Sequence, residues 1–236
     1  DFDIGVRHTM YEGRPGYRDA GNGPYTHYVD NRAPNCRDSG KGTQDTPRCK
    51  LPLDLPAGSV VEVHGGPYTK TEYGSKRRRI NARGTASSPV FVRGVPDASG
   101  EPVVYEDTWF EAFGTHFVIE SFELRETALF IGEHKAAKKG LVRDLVITEN
   151  EERNGANLEG KDIVFAGNHV HHNYGDDLHG VFVARRSERV WIIDNEINHN
   201  SGDGVQFCHN CGKEPPRYVY IGGNDIYANR ENGVDL

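Results

Sequence analysis

The residues best suited to chemistry recur at regular intervals in the last third of this chain. His179 and Asp203 each stand directly before a glycine and a short apolar run, and 24 positions separate them. An imidazole beside a carboxylate can act as a general base, because imidazole titrates near neutral pH. If the fold stacks these two positions, the spacing predicts a catalytic His–Asp pair.

Two further carboxylates, Asp176 and Asp177, precede His179. Together with Asp203 they offer the hard oxygen ligands that Ca²⁺ prefers, so we predict calcium as the one possible cofactor. Acidic residues next to glycine also form ordinary turns, and that role stays open for all three. A separate group of histidines could bind a transition metal, although stacking or solvated roles are favoured: His169, His171, His172 and His199.

These positions belong to a repeated unit that spans residues 162–183, 190–207 and 219–236. Each unit has an apolar strand, an Asn, an alternating stretch, a second Asn, a polar turn, a Gly and another strand. The two Asn positions recur at spacings of 27 and 29, which indicates a solenoid. Upstream, Asn150 is aligned with Asn168. The repeating residues are Asn168, Asn195 and Asn224, then Asn173, Asn200 and Asn229, then Gly180, Gly204 and Gly233.

The repeat is strand-like, because its apolar residues alternate with period 2 and no helical stripe is present. Coils of roughly 25 residues with short strands predict an all-β fold, a single-chain right-handed parallel β-helix. We expect this solenoid over residues 58–236 and an irregular N-terminal cap over residues 1–57. The asparagines would stack as scaffold. Because the last strand ends in mid-coil, we expect further coils or another chain to follow Leu236.

Aligning the units on their glycines places two columns of side chains on one outward face. The strip mixes polar, acidic and aromatic groups, which can hydrogen-bond sugar hydroxyls and stack on a sugar ring. The columns are Asn154, His179, Asp203 and Asn232, and Asn157, Phe182, Gln206 and Asp235.

The overall composition limits the class of partner. The formal net charge is -7, and the isoelectric point near 5.9 argues against nucleic acid. No apolar run approaches the ~18 residues of a membrane span. Basic residues cluster within 76–79, 135–139 and 185–189. These clusters are compatible with binding an acidic polysaccharide. The alternative interpretation is that they lie in solvated loops.

The four cysteines could form disulfides if the protein is exported. Cys36 and Cys49 stand 13 apart, and in an oxidising compartment they could close a loop with a disulfide. Cys208 and Cys211 form a CxxC, which fits a tight disulfide, half of a metal site or free thiols. Of these alternatives the disulfide is favoured.

Two segments carry a resemblance to a known family. Residues 55–68 (LPAGSVVEVHGGPY) and 84–94 (GTASSPVFVRG) resemble the first coils of the pectate-lyase-like superfamily of right-handed parallel β-helices, which includes alginate-lyase and chondroitinase-B-like proteins. The Asn-rich coils are similar to the general β-helix repeat, so the resemblance covers about residues 50–236. It specifies the fold more closely than the reaction.

The resemblance implies a secreted, periplasmic or cell-surface protein whose outward strip is a saccharide groove. A lyase acting on an acidic polysaccharide by β-elimination, or a related enzyme that abstracts the C5 proton, is the expected activity. The catalytic residues would be His179 and Asp203, with Arg186 neutralising the substrate carboxylate. The substrate would be bound by Asn157, Phe182, Gln206, Asn232, Asp235 and Arg217. A non-catalytic glycan-binding or structural module is the alternative.

Overall fold

The computed structural model describes residues 25–73, 77–133, 135–209, 212 and 214–236. This part of the chain consists of short strands, their connecting turns and one helical turn. In chain order the elements are β1 (His27–Asp30), β2 (Asp54–Pro56), β3 (Val60–His64), β4 (Tyr68–Thr69), α1 (Lys70–Tyr73), β5 (Arg77–Arg83), β6 (Val90–Gly94), β7 (Val103–Glu106), β8 (Trp109–Glu120), β9 (Phe122–Arg125), β10 (Ala128–Ile131), β11 (Ala137–Arg143), β12 (Val146–Thr148), β13 (Ala156–Leu158), β14 (Gly160–Ala166), β15 (His169–His171), β16 (Val181–Val183), β17 (Glu188–Ile193), β18 (Glu196–Asn198), β19 (Val205–Phe207), β20 (Arg217–Gly222), β21 (Asp225–Tyr227) and β22 (Val234–Asp235).

The strands wind into a parallel β-helix whose coils pass through three faces. Face 1 contains β2, β5, the first half of β8, β10, β13, β16, β19 and β22, and face 2 contains β1, β3, β6, the second half of β8, β11, β14, β17 and β20. Face 3 contains β4, β7, β9, β12, β15, β18 and β21. The long strand β8 bends around a corner, pairing with β10 at one end and with β11 at the other. The predicted all-β solenoid is confirmed.

Alternation along each strand fills the interior. Val181 and Val183 are fully buried while Phe182 between them faces outward, and Val205 continues the interior row in the next coil. Val181 pairs with Val205, 24 positions on, and Val205 pairs with Val234, 29 positions on. The additional residues of the last repeat lie between β19 and β20, so the unequal spacing comes from a turn loop, as predicted.

The asparagines form two hydrogen-bonded ladders between coils. In the first, Asn168 Nδ2 donates to Asn195 Oδ1 at 2.9 Å, and Asn195 Nδ2 donates to Asn224 Oδ1 at 2.8 Å. The second ladder joins Asn150, Asn173, Asn200 and Asn229 in the same way. The predicted scaffold role is confirmed.

One alignment was wrong. Asn150 lies beside Asn173 in the second ladder, with Nδ2 to Oδ1 at 2.7 Å, and not beside Asn168. The position below Asn168 belongs to Leu145, whose backbone N–H donates to Asn168 Oδ1 at 3.1 Å. A leucine side chain cannot extend a ladder of amide hydrogen bonds, so the first ladder begins one coil later than the second. The sequence pattern did not indicate this difference.

The repeated glycines are required by close approach between coils. A Cβ on Gly180 would lie 2.8 Å from Gly204 O, and a Cβ on Gly204 would lie 2.6 Å from Gly233 O. These distances are below what any Cβ tolerates, so a side chain would push the coils apart.

The segment predicted as an irregular cap contains regular pairing. β1 pairs in parallel with β3 and β2 pairs in parallel with β5, so two strands before residue 58 are hydrogen-bonded to strands of the solenoid. A disulfide joins Cys36 to Cys49. Residues 1–24 lie outside the described part of the chain, and the boundary at residue 57 stays a prediction. The helical content of the described residues includes nothing long and apolar enough to cross a membrane.

Candidate functional site

Face 1 stacks the predicted outward column in the expected register. Asn157 pairs with Phe182, Phe182 with Gln206, and Gln206 with Asp235. Asn157 and Phe182 are half-buried and face solvent. Gln206 is covered, because its Nε2 donates to Phe207 O at 2.9 Å and lies 3.4 Å from Asp235 Oδ2. The open part of this strip is therefore its first half.

The neighbouring column is a ladder of side-chain acceptors. Asn154 Oδ1 accepts the backbone N–H of His179 at 2.9 Å, and His179 Nδ1 accepts the backbone N–H of Asp203 at 3.0 Å. Asp203 Oδ1 in turn accepts the backbone N–H of Asn232 at 2.8 Å. Each side chain thus accepts a backbone N–H of the next coil, and this is a structural role.

This ladder determines the protonation of His179. Because Nδ1 accepts a hydrogen bond, the neutral ring carries its proton on Nε2 and has no second lone pair to offer as a base. Asp203 Oδ2 does lie 3.4 Å from His179 Nδ1, so the structure brings the predicted pair together. Their side chains are only 9% and 1% exposed, however. The catalytic assignment of His179 and Asp203 stays a prediction.

The carboxylates predicted to hold calcium are not gathered into a ligand set. Asp176 and Asp177 are exposed, and Asp177 Oδ1 lies 3.8 Å from His179 Nε2. Asp203 is buried and engaged with the Asn232 backbone. Among the described residues, no group of three or more His, Cys, Asp or Glu side chains is placed to hold a metal ion. These residues do not fit calcium as they stand, and we derive no step through it.

The predicted basic residues lie at the corner between face 1 and face 2. Arg186 follows β16, at the opposite end of that strand from His179, and its Nε donates to Glu214 Oε2 at 2.6 Å. Arg217 begins β20 on face 2 and lines a hollow with Arg186. The structure thus separates Arg186 from the His–Asp pair that it was predicted to assist.

A pocket of about 370 Å³ opens at this corner. Four successive coils contribute to it, because residues on or directly after β10, β13, β16 and β19 stack there. We call it the corner pocket, and its lining residues are Glu133, Asn157, Glu159, Phe182, Ala184, Arg185 and Cys208. Two predicted substrate-binding residues, Asn157 and Phe182, are among them. Within the described chain, the Asn157 Nδ2 group has no hydrogen-bond partner.

Glu159 is the distinctive group of the corner pocket. Burial raises the pKa of its carboxyl group, and Glu133 and Glu214 raise it further, while Arg185 and Arg186 act in the opposite direction. Its side chain is 13% exposed. Gly132 makes room for this turn, because a Cβ there would lie 1.7 Å from Glu159 O and its φ is +85°. A carboxyl group with a raised pKa in a pocket is a candidate for proton transfer.

Arg185 supplies positive charge to the same pocket. It lies on the coil after Glu159, close enough for the two charges to interact. Among the described residues it forms no ion pair that would occupy its guanidinium group, unlike Arg186. The sequence analysis grouped Arg185 with a basic cluster and did not single out Glu159. The sequence did contain one signal for this pair: Glu159 and Arg185 follow closely after two successive face 1 strands.

The CxxC segment borders the corner pocket. Cys208 lines it and is disulfide-bonded. Cys211 lies outside the described residues. His209, between them, donates from Nε2 to Asp235 Oδ2 at 2.9 Å, which places the start of this loop above the end of face 1.

Comparisons with known proteins bear mainly on the fold. A family model described as a right-handed β-helix region matches residues 117–236. A search of curated proteins finds no match. A solved structure of a rhamnogalacturonan lyase is similar at 17% identity and a TM-score of 0.44, over 86% of this chain and 63% of that chain. The chain therefore spans less than two thirds of that lyase.

Proposed function

We propose that this chain, which belongs to the right-handed β-helix family, binds a uronic acid unit of a polysaccharide in the corner pocket and cleaves the polymer by β-elimination. Membership of a fold family does not determine a reaction. The observation that carries the proposal is the placing of Glu159, with its raised pKa, beside Arg185 in one open pocket.

Each lining group has a chemical part in substrate binding. The Arg185 guanidinium group can hold a uronate carboxylate through paired hydrogen bonds. The Phe182 ring offers a flat apolar surface for a sugar ring, and Asn157 lines the pocket beside it. A volume of about 370 Å³ accommodates one or two sugar units.

The reaction follows from these positions. Arg185 neutralises the substrate carboxylate and so acidifies the proton on the adjacent C5. The ionised Glu159 carboxylate accepts that proton, the C5–H electron pair forms the C4–C5 double bond, and the C4–O bond breaks. The leaving oxygen then takes this proton from Glu159, which restores the ionised carboxylate. A raised pKa suits Glu159 to both transfers.

The test is incubation with a panel of uronic-acid polysaccharides while ultraviolet absorbance of the unsaturated product is recorded, with and without Ca²⁺. We expect absorbance to rise with at least one polymer. Glu159→Gln should lower the rate about 100-fold or more, because it removes the base. Arg185→Ala should raise KM for acidic substrates and also lower kcat, because the guanidinium group both binds the carboxylate and acidifies the C5 proton.

Two further variants test whether Glu159 is the catalytic base. Glu123→Gln, which changes a carboxylate of face 3 paired with Arg125, should leave the rate unchanged. His179→Asn retains an acceptor for the Asp203 backbone and should also retain activity. If His179→Asn abolishes turnover while Glu159→Gln does not, the base is His179, as the sequence predicted. Binding without turnover for every polymer would support the non-catalytic glycan-binding alternative.

We also propose an extracellular, cell-surface or periplasmic location. The Cys36–Cys49 disulfide supports it, because disulfides persist in oxidising compartments. Expression with and without export to an oxidising compartment should give the folded, disulfide-bonded form in the first case only, as judged by alkylation and mass spectrometry.

A further inference from the structure

Face 3 carries a row of imidazoles away from the corner pocket. His169 and His171 lie on β15, His172 follows this strand, and His199 follows β18 one coil later. The ring centroids of His169 and His171 are 4.0 Å apart, and the rings of His172 and His199 stack in parallel at 5.0 Å. Neither the scaffold nor the proposed reaction uses these rings.

Two of the imidazoles point nitrogen atoms at each other. His171 Nδ1 lies 2.7 Å from His172 Nδ1, and Thr148 Oγ1 lies 3.3 Å from the same His171 atom. The backbone of His172 has a φ of +53°, which turns its side chain to the same side of the strand as that of His171. Adjacent residues of an extended strand would point to opposite sides.

We propose that His171 and His172 chelate a divalent copper ion through their Nδ1 atoms. Neighbouring nitrogen ligands of a square-planar ion, each about 2.0 Å from the metal, lie about 2.8 Å apart. The two Nδ1 atoms share a hydrogen bond of 2.7 Å, and this separation is close to the spacing of neighbouring copper ligands. Ligands of a tetrahedral zinc ion lie about 3.3 Å apart, so copper requires the smaller movement of the two rings.

The hydrogen bond between the two Nδ1 atoms places one hydrogen on this pair of nitrogens. When the ion binds, this hydrogen moves to Nε2 of the ring that carried it, which leaves both Nδ1 lone pairs for the metal.

Thr148 Oγ1 lies beside His171 Nδ1, and both imidazoles of the pair are partly exposed. His169 is held elsewhere, since its Nε2 lies 3.1 Å from Asn198 Nδ2 and 3.7 Å from Glu196 Oε1. The proposed site therefore has two protein ligands, and no group of three or more His, Cys, Asp or Glu among the described residues is placed to hold a metal ion.

The test is titration of tag-free protein with Cu²⁺ alone at pH 7, followed by calorimetry and by electron paramagnetic resonance at one equivalent. We expect one site per chain and a spectrum with hyperfine splitting from two imidazole nitrogens. His172→Asn and His171→Gln should each weaken binding at least about tenfold and remove one nitrogen from the spectrum. Asparagine tolerates the positive φ of position 172, so the fold should persist.

His116→Asn is the matched control. His116 also has a positive φ of 50°, and its Nδ1 bonds Thr115 Oγ1 at 2.8 Å on another face. Copper binding should be unchanged in this variant. Absence of binding by the parent protein, or an unchanged affinity and spectrum in both His171→Gln and His172→Asn, would overturn the proposal. Thermal unfolding of each variant shows whether a loss of binding reflects loss of fold.

Discussion

The imidazole of His179 occupies the position that an amide holds one coil earlier. Asn154 Oδ1 and His179 Nδ1 each accept a backbone N–H from the following coil, and Asp203 Oδ1 does the same for Asn232. Three different side chains thus perform one task, because an amide oxygen, an imidazole nitrogen and a carboxylate oxygen are all acceptors. A residue type that suggests catalysis in a sequence can therefore serve the scaffold.

At this scale we predict that His179→Ala destabilises the protein and His179→Asn does not. Alanine leaves the buried N–H of Asp203 without an acceptor, which costs about 1–3 kcal/mol, whereas asparagine supplies an oxygen, as Asn154 does. Urea denaturation monitored by circular dichroism measures the free energy of unfolding. Equal losses in the two variants would show that the imidazole contributes by packing and not by accepting this bond.

The Asn ladders act at the scale of the element, because each joins one corner of a coil to the next. Asn173 is fully buried and bonds in both directions, accepting from Asn150 Nδ2 at 2.7 Å and donating to Asn200 Oδ1 at 2.7 Å. Its Nδ2 also approaches Ile147 O at 3.5 Å. The turn between face 3 and face 1 thus keeps its shape from coil to coil although its loop varies in length.

We predict that Asn173→Ala lowers the free energy of unfolding by about 2–4 kcal/mol, since several buried polar groups lose their partners. Asn81→Ala is the control, because Asn81 Nδ2 donates to Asp54 Oδ1 at 2.8 Å at the surface and its loss should cost less than about 1 kcal/mol. Chemical denaturation of both variants beside the parent protein gives the comparison. A small effect at position 173 would mean that water replaces the ladder.

At the scale of the whole molecule, the solenoid is a stack in which each coil contacts only its neighbours. Val181 pairs with Ala156 on one side and with Val205 on the other. The same relation holds on face 3, where β15 lies between β12 and β18. A complete coil is therefore a removable unit, whereas part of a coil is not.

We predict that deletion of residues 181–204 gives a folded protein with one coil fewer. The deletion joins Gly180 to Val205, and these positions are neighbours in the repeat because Val181 and Val205 are in register. Deletion of residues 181–192 should prevent folding, since it joins Gly180, in the turn before the face 1 strand, directly to Ile193, the last residue of the face 2 strand. Far-ultraviolet circular dichroism and gel filtration distinguish the outcomes, and the shorter protein should lack turnover because Phe182 and Arg185 are removed.

The sequence by itself determined the architecture of this protein. Equivalent positions of a solenoid contact each other, so the spacing of Asn168, Asn195 and Asn224 directly encodes the stacking that the structure shows. The interior rows and the outward register of Asn157 and Phe182 follow from the same periodicity. In such a fold the repeat period of the sequence also specifies which residues contact each other between coils. The coils can therefore be predicted from a single sequence.

Only the tertiary structure decided what the individual side chains do. The raised pKa of Glu159 comes from burial and from charges on the preceding and following coils, and the acceptor role of His179 comes from a backbone group 24 positions away. The start of the first ladder at Asn168 likewise depends on Leu145 taking the position below it. Turn loops of unequal length decide which side chains of successive coils become neighbours. Burial and the direction of each hydrogen bond depend on those neighbours, and the periodicity of the sequence does not specify them.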